Sequence, residues 1–170
     1  MERKNIFTIR GNPLTLVGQE IKEGDKAPDF TALDGTLKEV KLGDFAGKIK
    51  LIAVVQSLDT SVCDEETRKF NEVAANLPDN VQFLTISTDL PFAQSRFCQT
   101  AGIEKVTVLS DHRDLSFGTA YGVVIKELRL LARSVFVIDE NDVVRYVQIV
   151  PEGSTHPDYD GALEAVKSLV

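Results

Sequence analysis

The segment that most constrains the fold of this chain is Ile49–Val55, a run that is almost entirely apolar. A strand of this composition is normally buried on both faces, as in a parallel sheet covered by helices. A helical pattern follows over Ser61–Leu77 and is ended by Pro78, and a second strand follows at Val81–Ser87. We therefore predict a parallel strand–helix–strand unit at the centre of the chain.

Helices and strands continue to alternate towards the C-terminus. A helix is predicted over Pro91–Ala101, because proline suits its first turn and Gly102 suits its end. The remaining elements are a short strand, a hairpin and a closing helix, at Val106–Leu109, Ser134–Ile138 with Val143–Ile149, and Tyr159–Leu169. This order predicts an α/β fold on the thioredoxin-like plan, with a mixed central sheet flanked by helices on both faces.

Two further hairpins are predicted ahead of the central unit. They join Asn5–Ile9 to Leu14–Val17 through Arg10–Pro13, and Phe30–Leu33 to Leu37–Lys41 through Asp34 and Gly35. No repeat or linker divides the 170 residues, which are enough for one sizeable core. We expect a single domain over residues 1–170, in which the N-terminal hairpin at about residues 5–17 is an addition to the thioredoxin-like plan.

Charge and hydropathy exclude several classes of function. The formal net charge is −7 and no basic run offsets it, so a nucleic-acid partner would be repelled. The first apolar residues are broken at once by Arg10–Pro13, which argues against a secretory signal. No stretch approaches the roughly 18 apolar residues of a membrane span. We expect a cytoplasmic protein without a membrane partner, in a compartment that keeps ordinary thiols reduced.

Cys63 follows the loop that joins the buried strand to the next helix. Three residues of this loop could cap the helix, namely Asp59, Thr60 and Ser61. Whichever residue caps it, Cys63 falls in the first helical turn, where unpaired backbone N–H groups and the helix dipole favour a negative charge. This environment is one that favours a reactive thiolate.

The helical period also predicts where the sulfur points. Cys63 shares a face with Thr67, Phe70 and Ala74, so the sulfur should point towards the sheet, into a pocket. The acids that follow, Asp64, Glu65 and Glu66, disfavour an anion, so positive charge must come from elsewhere in the fold. Because an ordinary thiol is only about 3% ionised at pH 7, full ionisation supplies only about thirtyfold in rate. Fast chemistry also needs donors, such as the Thr60 hydroxyl, the first-turn amides and a buried arginine.

Other roles for the two cysteines stay open on the residues alone. Cys63 and Cys98 could each be a small buried apolar residue. A zinc site would need Cys63, Cys98, His112 and His156, none of which forms a close ligand pair of the usual spacing. Disulfide exchange of the thioredoxin type is disfavoured, because acidic residues follow Cys63 where a Cys-x-x-Cys motif would place its second cysteine.

Several phrases of the sequence carry a resemblance to a known family. The pattern Thr-x-x-Cys occurs at Thr60–Cys63, and longer matching phrases occur in order at Gly11–Pro13, Gly24–Phe30, Thr67–Asn71, Asp89–Cys98, Leu109–Asp111 and Leu130–Phe136. Together they resemble the peroxiredoxins, and specifically the bacterial thiol peroxidase subgroup. The match runs from about residue 5 to the C-terminus.

The resemblance implies a role for each site residue. Cys63 would be the peroxidatic nucleophile that reduces hydrogen peroxide or organic hydroperoxides and becomes a sulfenic acid. Thr60 would hydrogen-bond the peroxide and the sulfur, and Arg133, at the start of a strand, would be the cation beside Cys63. Cys98 would resolve the sulfenic acid to an intramolecular disulfide, with thioredoxin as the reductant. The resemblance also implies a homodimer, and neither a metal nor another cofactor.

One residue departs from the family pattern. The family normally carries proline four residues before the active-site threonine, and this chain has Gln56 there. The departure puts the rate and the peroxide preference in doubt, and it is the main support for a scaffold that has lost its chemistry. A second alternative is a redox-sensing binding module, in which the disulfide between Cys63 and Cys98 acts as a conformational signal.

The spacing of the two cysteines suggests a conformational change. They lie on successive helices on either side of a strand, whereas a disulfide needs Cα atoms within about 7 Å. We therefore expect the sulfurs of the reduced protein to be too far apart to bond. The first turn around Cys63 and part of the Cys98 helix would have to unravel locally for the disulfide to close.

Overall fold

The computed structural model describes residues 1–170, which form eleven strands, four α-helices and one short 3-10 helix. The strands are β1 (Glu2–Ile9), β2 (Asn12–Val17), β3 (Thr31–Leu33), β4 (Glu39–Lys41), β5 (Ile49–Val54), β6 (Val81–Ser87), β7 (Val106–Ser110), β8 (Val124–Ile125), β9 (Leu130–Leu131), β10 (Ser134–Ile138) and β11 (Val144–Ile149). The helices are α1 (Ser61–Ala74), α2 (Pro91–Ala101), α3 (Ser116–Tyr121) and α4 (Tyr159–Lys167), and the 3-10 helix is Leu42–Phe45.

The central sheet has seven strands in the order β11-β10-β5-β6-β7-β3-β4. Strands β5, β6 and β7 run parallel, whereas β10 runs antiparallel to β5, so the sheet is mixed as predicted. All six residues of β5 are buried, which explains why this segment is nearly free of polar residues. Its one charged residue, Lys50, donates from its buried ammonium group to Asp142 at 2.5 Å.

Helices cover both faces of the central sheet, and each face has its own core. On one face, α1, α2 and α4 pack over side chains that include Leu51 and Phe83. On the other face, α3 and the N-terminal hairpin pack over side chains that include Ile52 and Phe136. The predicted mixed α/β architecture with helices on both faces is confirmed. None of the helices combines the length and the apolar character that crossing a bilayer would require.

The N-terminal hairpin belongs to a second sheet, in the order β1-β2-β8-β9. The sequence pattern predicted neither β8 nor β9, which have two residues each, nor the six-residue α3. Segments this short cannot show a helical or strand period. Strand β8 forms because β2 pairs with it, with Leu16 opposite Ile125 and Val17 opposite Val124.

The first hairpin turns more tightly than predicted. Its strands close on Arg10 and Gly11, which both have positive φ, as two-residue hairpin turns of this kind require. The predicted four-residue connection was therefore wrong at Pro13, which pairs with Thr8 inside β2.

Most predicted ends of elements differ from the observed ones by one to three residues. Helix α1 ends at Ala74 rather than Leu77, α4 ends at Lys167 rather than Leu169, and β3, β4 and β11 begin at Thr31, Glu39 and Val144 rather than Phe30, Leu37 and Val143. The late start of β4 has a local cause. The Asp34 carboxylate accepts from the backbone N–H groups of Thr36 and Lys38, which holds the intervening residues in a loop.

Candidate active site

The loop between β5 and α1 is held in place by a carboxylate from another loop. Asp89, which lies between β6 and α2, accepts hydrogen bonds from the Ser57 hydroxyl at 2.7 Å and from the Leu58 backbone N–H at 2.8 Å. The same carboxylate accepts from the Ser87 hydroxyl at 2.7 Å. Asp89 therefore joins the segment before Cys63 to the segment before the Cys98 helix.

Cys63 is the third residue of α1 and is completely buried. It packs with Val55 and Leu58, and partly buried Phe97 and Val108 lie against this cluster. The prediction that Cys63 lies in the first turn and faces the sheet is confirmed. Because the sulfur has no direct exposure, a substrate reaches it only through an adjoining cleft or after local movement.

The predicted side-chain cap of α1 is absent. Thr60 occupies the N-cap position with an extended backbone, but no side chain accepts a hydrogen bond from the first-turn amides. The Thr60 hydroxyl instead donates to the backbone carbonyl of Ser57 at 2.8 Å. One of the three candidate residues thus occupies the cap position, but the expected side-chain hydrogen bond is absent, so the helix N-terminus keeps its positive potential for another partner.

Arg133 directly precedes β10, and its side chain is almost fully buried against Glu66 of α1. Its Nε and Nη2 atoms donate to the Gly153 carbonyl at 3.1 and 2.8 Å. Its Nη1 atom donates to Glu66 at 3.4 Å. These three bonds fix the orientation of the guanidinium group, and the fold thereby supplies a buried cation near the start of α1.

Glu66 was read from the sequence only as one of three acids that oppose a thiolate. The structure buries it completely, with its Oε1 against Arg133 and its Oε2 without any hydrogen-bond partner. Burial away from water raises the pKa of Glu66 to about 8, although Arg133 acts in the opposite direction. Burial therefore favours the protonated carboxyl, and a protonated Glu66 would leave more of the Arg133 charge available to the site. Its spacing offered a signal, because residue 66 lies one turn after Cys63 on the buried face.

Gln56 contacts the sulfur directly. Its Oε1 accepts from the Cys63 thiol at an Sγ–Oε1 distance of 3.4 Å, and its Nε2 donates to the Gly153 carbonyl at 3.2 Å. Gln56 and Arg133 thus share one acceptor, the Gly153 carbonyl oxygen. The sequence offered no indication of Gly153, which lies 97 residues after Gln56 in the chain.

A cleft of about 240 Å³ opens beside these groups. Gln56, Thr60, Val62 and Arg133 form part of its wall. The second sheet and the loop after β11 complete the wall with Ile9, Arg10, Leu130, Gly153 and Ser154. The cleft therefore brings together three of the predicted site features, namely Thr60, Arg133 and the N-terminus of α1, and it has room for a small polar substrate.

Cys98 lies apart from this cleft, on α2. It is half-buried against the core that α1, α2 and α4 share, and both cysteines are free thiols. Burial raises the pKa of the Cys98 thiol, which makes it a weaker nucleophile while α2 is folded. The side chain next to it, Phe97, packs against the cluster that contains Cys63.

The two histidines lie in loops and do not join the cysteines. His156 contacts Tyr159 through Nδ1 at 2.7 Å and lies with Nε2 3.1 Å from the Glu65 carboxylate. His112 lies in the loop between β7 and α3. No group of three or more histidine, cysteine, aspartate or glutamate side chains is arranged so that it could hold a metal ion.

Comparisons with known proteins agree with one another across almost the whole chain. The family model described as Redoxin matches residues 22–163. The chain is 63% identical over 164 residues to the thiol peroxidase of Halalkalibacterium halodurans, covering 96% of this chain and 98% of that protein. It is 60% identical over 164 residues to the thiol peroxidase of Bacillus subtilis, with the same coverage. The crystal structure of a peroxiredoxin-like protein from Aquifex aeolicus superimposes with a TM-score of 0.91 at 43% identity, covering 99% of this chain and 98% of that one.

Proposed function

Because the chain belongs to the redoxin family as a peroxiredoxin-type thiol peroxidase, we propose that Cys63 is the sulfur that attacks the hydroperoxide. The observation that carries this proposal is the placement of Cys63 in the first turn of α1, beside a cleft whose wall contains its neighbours Gln56 and Val62 and the oriented guanidinium of Arg133. Both features stabilise negative charge on or near the sulfur.

The proposed reaction begins with the thiolate. The Cys63 sulfur attacks the terminal peroxide oxygen, so that an S–O bond forms while the O–O bond breaks. The sulfur is oxidised to a sulfenic acid, and the leaving oxygen takes up a proton and departs as water or an alcohol. Arg133, the first-turn amides and the Thr60 hydroxyl would stabilise the charge that develops on the leaving oxygen.

Resolution by Cys98 forms the second half of the proposal. The Cys98 sulfur attacks the sulfenic sulfur, an S–S bond forms, and the hydroxyl group leaves as water. Because Phe97 packs into the cluster around Cys63, the start of α1 and part of α2 would have to open before the sulfurs could meet. Hydrogen exchange should then be faster in residues 60–66 and 95–101 of the disulfide form than of the reduced form. Equal exchange in both forms would contradict this opening.

We propose that thioredoxin reduces the disulfide between catalytic cycles. We also propose that the protein lies in the cytoplasm, whose reducing conditions permit this step. The test is the consumption of hydrogen peroxide and of an alkyl hydroperoxide with thioredoxin, thioredoxin reductase and NADPH. We expect no turnover in Cys63→Ser. In Cys98→Ser we expect at most one equivalent of peroxide to be consumed under the thioredoxin supply.

The two variants also separate the alternatives. Full turnover in Cys63→Ser would contradict the assignment of the nucleophile, and full turnover in Cys98→Ser would contradict the assignment of the resolving cysteine. If the unaltered protein forms the disulfide but consumes no peroxide catalytically, the redox-sensing module becomes the better description.

A further inference from the structure

The carboxamide of Gln56 is the polar group that contacts the Cys63 sulfur in this structure. It is 7% exposed, so water competes little for its hydrogen bonds. Its oxygen accepts from the thiol at 3.4 Å, while its nitrogen donates to the Gly153 carbonyl at 3.2 Å. A carboxamide has an acceptor on one side and a donor on the other, so the present orientation matches a protonated thiol.

When Cys63 ionises, the sulfur requires a hydrogen-bond donor from this carboxamide instead of an acceptor. A thiolate has no proton to donate and can only accept hydrogen bonds. The Gln56 oxygen facing it would then place two negative partial charges 3.4 Å apart. A half-turn about the terminal torsion of Gln56 exchanges the oxygen and the nitrogen in nearly the same space, and it turns an N–H donor towards the sulfur.

The half-turn also changes the contact between Gln56 and Gly153. After it, Gln56 no longer donates to the Gly153 carbonyl, but that oxygen keeps its two hydrogen bonds from Arg133, at 3.1 and 2.8 Å. The Gly153 carbonyl therefore keeps partners, whereas the Gln56 oxygen turns towards it and gives up its own hydrogen bond, which is the cost of the rotation. The lost neutral hydrogen bond is replaced by one to a charged sulfur, which is the stronger kind.

The other side chains around the sulfur do not make the same contact in this structure. Arg133 is committed to Gly153 and Glu66, and Glu66 belongs to the helix of Cys63 itself. From α4, Tyr159 faces the Cys63, Glu66 and Arg133 charges. From α2 and β7, the neighbours are the apolar Phe97 and Val108. The remaining acids of the first turn, Asp64 and Glu65, are open to solvent.

We propose that Gln56 is a further catalytic residue. Its carboxamide rotates by half a turn when Cys63 ionises and then donates an N–H hydrogen bond to the thiolate. This inference rests on the proposed function only in that Cys63 is the reacting sulfur. Gln56, which departs from the family pattern, would then contact the reacting sulfur in both protonation states of Cys63.

The test follows the thiolate without any peroxide. In a Cys98→Ser background, ultraviolet absorbance near 240 nm against pH reports the ionisation of Cys63 alone. Replacing Gln56 by Met removes the donor while keeping a similar volume, so the pH at which half of Cys63 is thiolate should rise by about 0.5 to 1 pH unit. The matched control is Gln94→Met, because Gln94 is also buried but bonds only Ser87 and the Leu109 carbonyl. This control should leave the midpoint unchanged.

A second measurement needs no substitution at Gln56. In the same Cys98→Ser protein, the side-chain ¹⁵N–¹H₂ signal of Gln56 should move with pH at the same midpoint as the absorbance, and this titration should vanish in Cys63→Ser with Cys98→Ser. A midpoint that is unchanged or lowered in Gln56→Met, or a Gln56 signal that ignores Cys63 ionisation, would overturn the proposal. Because neither readout involves turnover, failure here is distinct from failure of the peroxidase assignment.

Discussion

At the scale of single residues, the pair formed by Glu66 and Arg133 sets how much positive charge the site offers. Arg133 alone would be a full cation next to the cleft, whereas an ionised Glu66 would neutralise it at close range. The structure favours the protonated carboxyl, because Oε2 of Glu66 has no partner and no exposure. A buried acid can therefore lie beside a nucleophile that needs positive potential.

The raised pKa of Glu66 leads to a stability prediction. The folded protein keeps the Glu66 proton until about pH 8, whereas the unfolded chain releases it near pH 4.5. Between these values the folded state binds more protons, so stability falls as the pH rises. In Glu66→Gln this position does not titrate. The free energy of unfolding of the variant should therefore rise relative to that of the unaltered protein between pH 5 and pH 8, by roughly 1–3 kcal/mol. Thermal unfolding of both proteins across this range is the measurement, and parallel curves would contradict the prediction.

Gly153 leads to a second prediction at this scale. A Cβ at this position would lie 2.4 Å from Gln56 Nε2 and 2.8 Å from Phe7 Cζ, so only glycine fits. Gly153→Ala should displace the carbonyl that orients Gln56 and Arg133, and lower the peroxidase rate by roughly tenfold or more. It should also destabilise the fold by about 1–3 kcal/mol through overpacking. Gly43→Ala is the control, because its Cβ would meet nothing within 4 Å, and an equal loss of rate there would contradict the argument.

At the scale of secondary-structure elements, the two helices that carry the cysteines are already linked while both cysteines are free thiols. The loop before α1 and the loop before α2 share the Asp89 carboxylate, and Phe97 of α2 packs into the cluster that holds Cys63. Opening one helix therefore weakens the support of the other. The disulfide requires local unravelling, and this coupling provides a defined starting point for it.

A substitution at Asp89 tests this coupling. Asp89→Ala removes the acceptor for the Ser57 hydroxyl and for the Leu58 N–H, and the latter then lies in a partly buried place without a partner. We expect a loss of about 2–4 kcal/mol in the free energy of unfolding. We also expect faster hydrogen exchange in residues 56–63, measured by mass spectrometry. The control is the exposed Asp79, and exchange confined to the Asp89 loop alone would argue against coupling.

At the scale of the whole molecule, the second sheet completes a cleft that the thioredoxin-like core leaves open. Ile9 and Arg10 come from the N-terminal hairpin and Leu130 from β9, and all three form part of the cleft wall around the Cys63 segment. The N-terminal addition is therefore part of the site and not a separate appendage.

The homodimer that the family resemblance implies leads to a prediction at the scale of the whole molecule. Leu90 and Phe92, at the start of α2, expose 52% and 64% of their surface, and two large apolar side chains exposed this close together are a candidate for the interface. Phe92→Asp should shift the protein from dimer to monomer, measured by sedimentation velocity, because a charge is costly to bury in an interface. Val170→Asp, at the exposed C-terminal residue, should leave the mass unchanged. A dimer of unaltered strength in Phe92→Asp would place the interface elsewhere.

The sequence by itself determined the features that depend on neighbours along the chain. The apolar run of β5, the period of α1 and the proline and glycine that bound α2 each act within a few residues, so the order of elements followed from them. The position of Cys63 in a first turn, with its sulfur towards the sheet, followed for the same reason. The colinear phrases then indicated the family and proposed Thr60, Arg133 and Cys98 as partners.

Only the tertiary structure decided which distant groups meet around the sulfur. Gln56 and Gly153 are 97 residues apart, and Glu66 and Arg133 are 67 residues apart, so no local pattern could pair them. The helical period places Glu66 near the buried face, but only the packed fold removes this acid completely from water, and β8 forms because β2 pairs with it. The physical reason is that burial and long-range hydrogen bonds are properties of the packed chain, which a sequence period reports only in part.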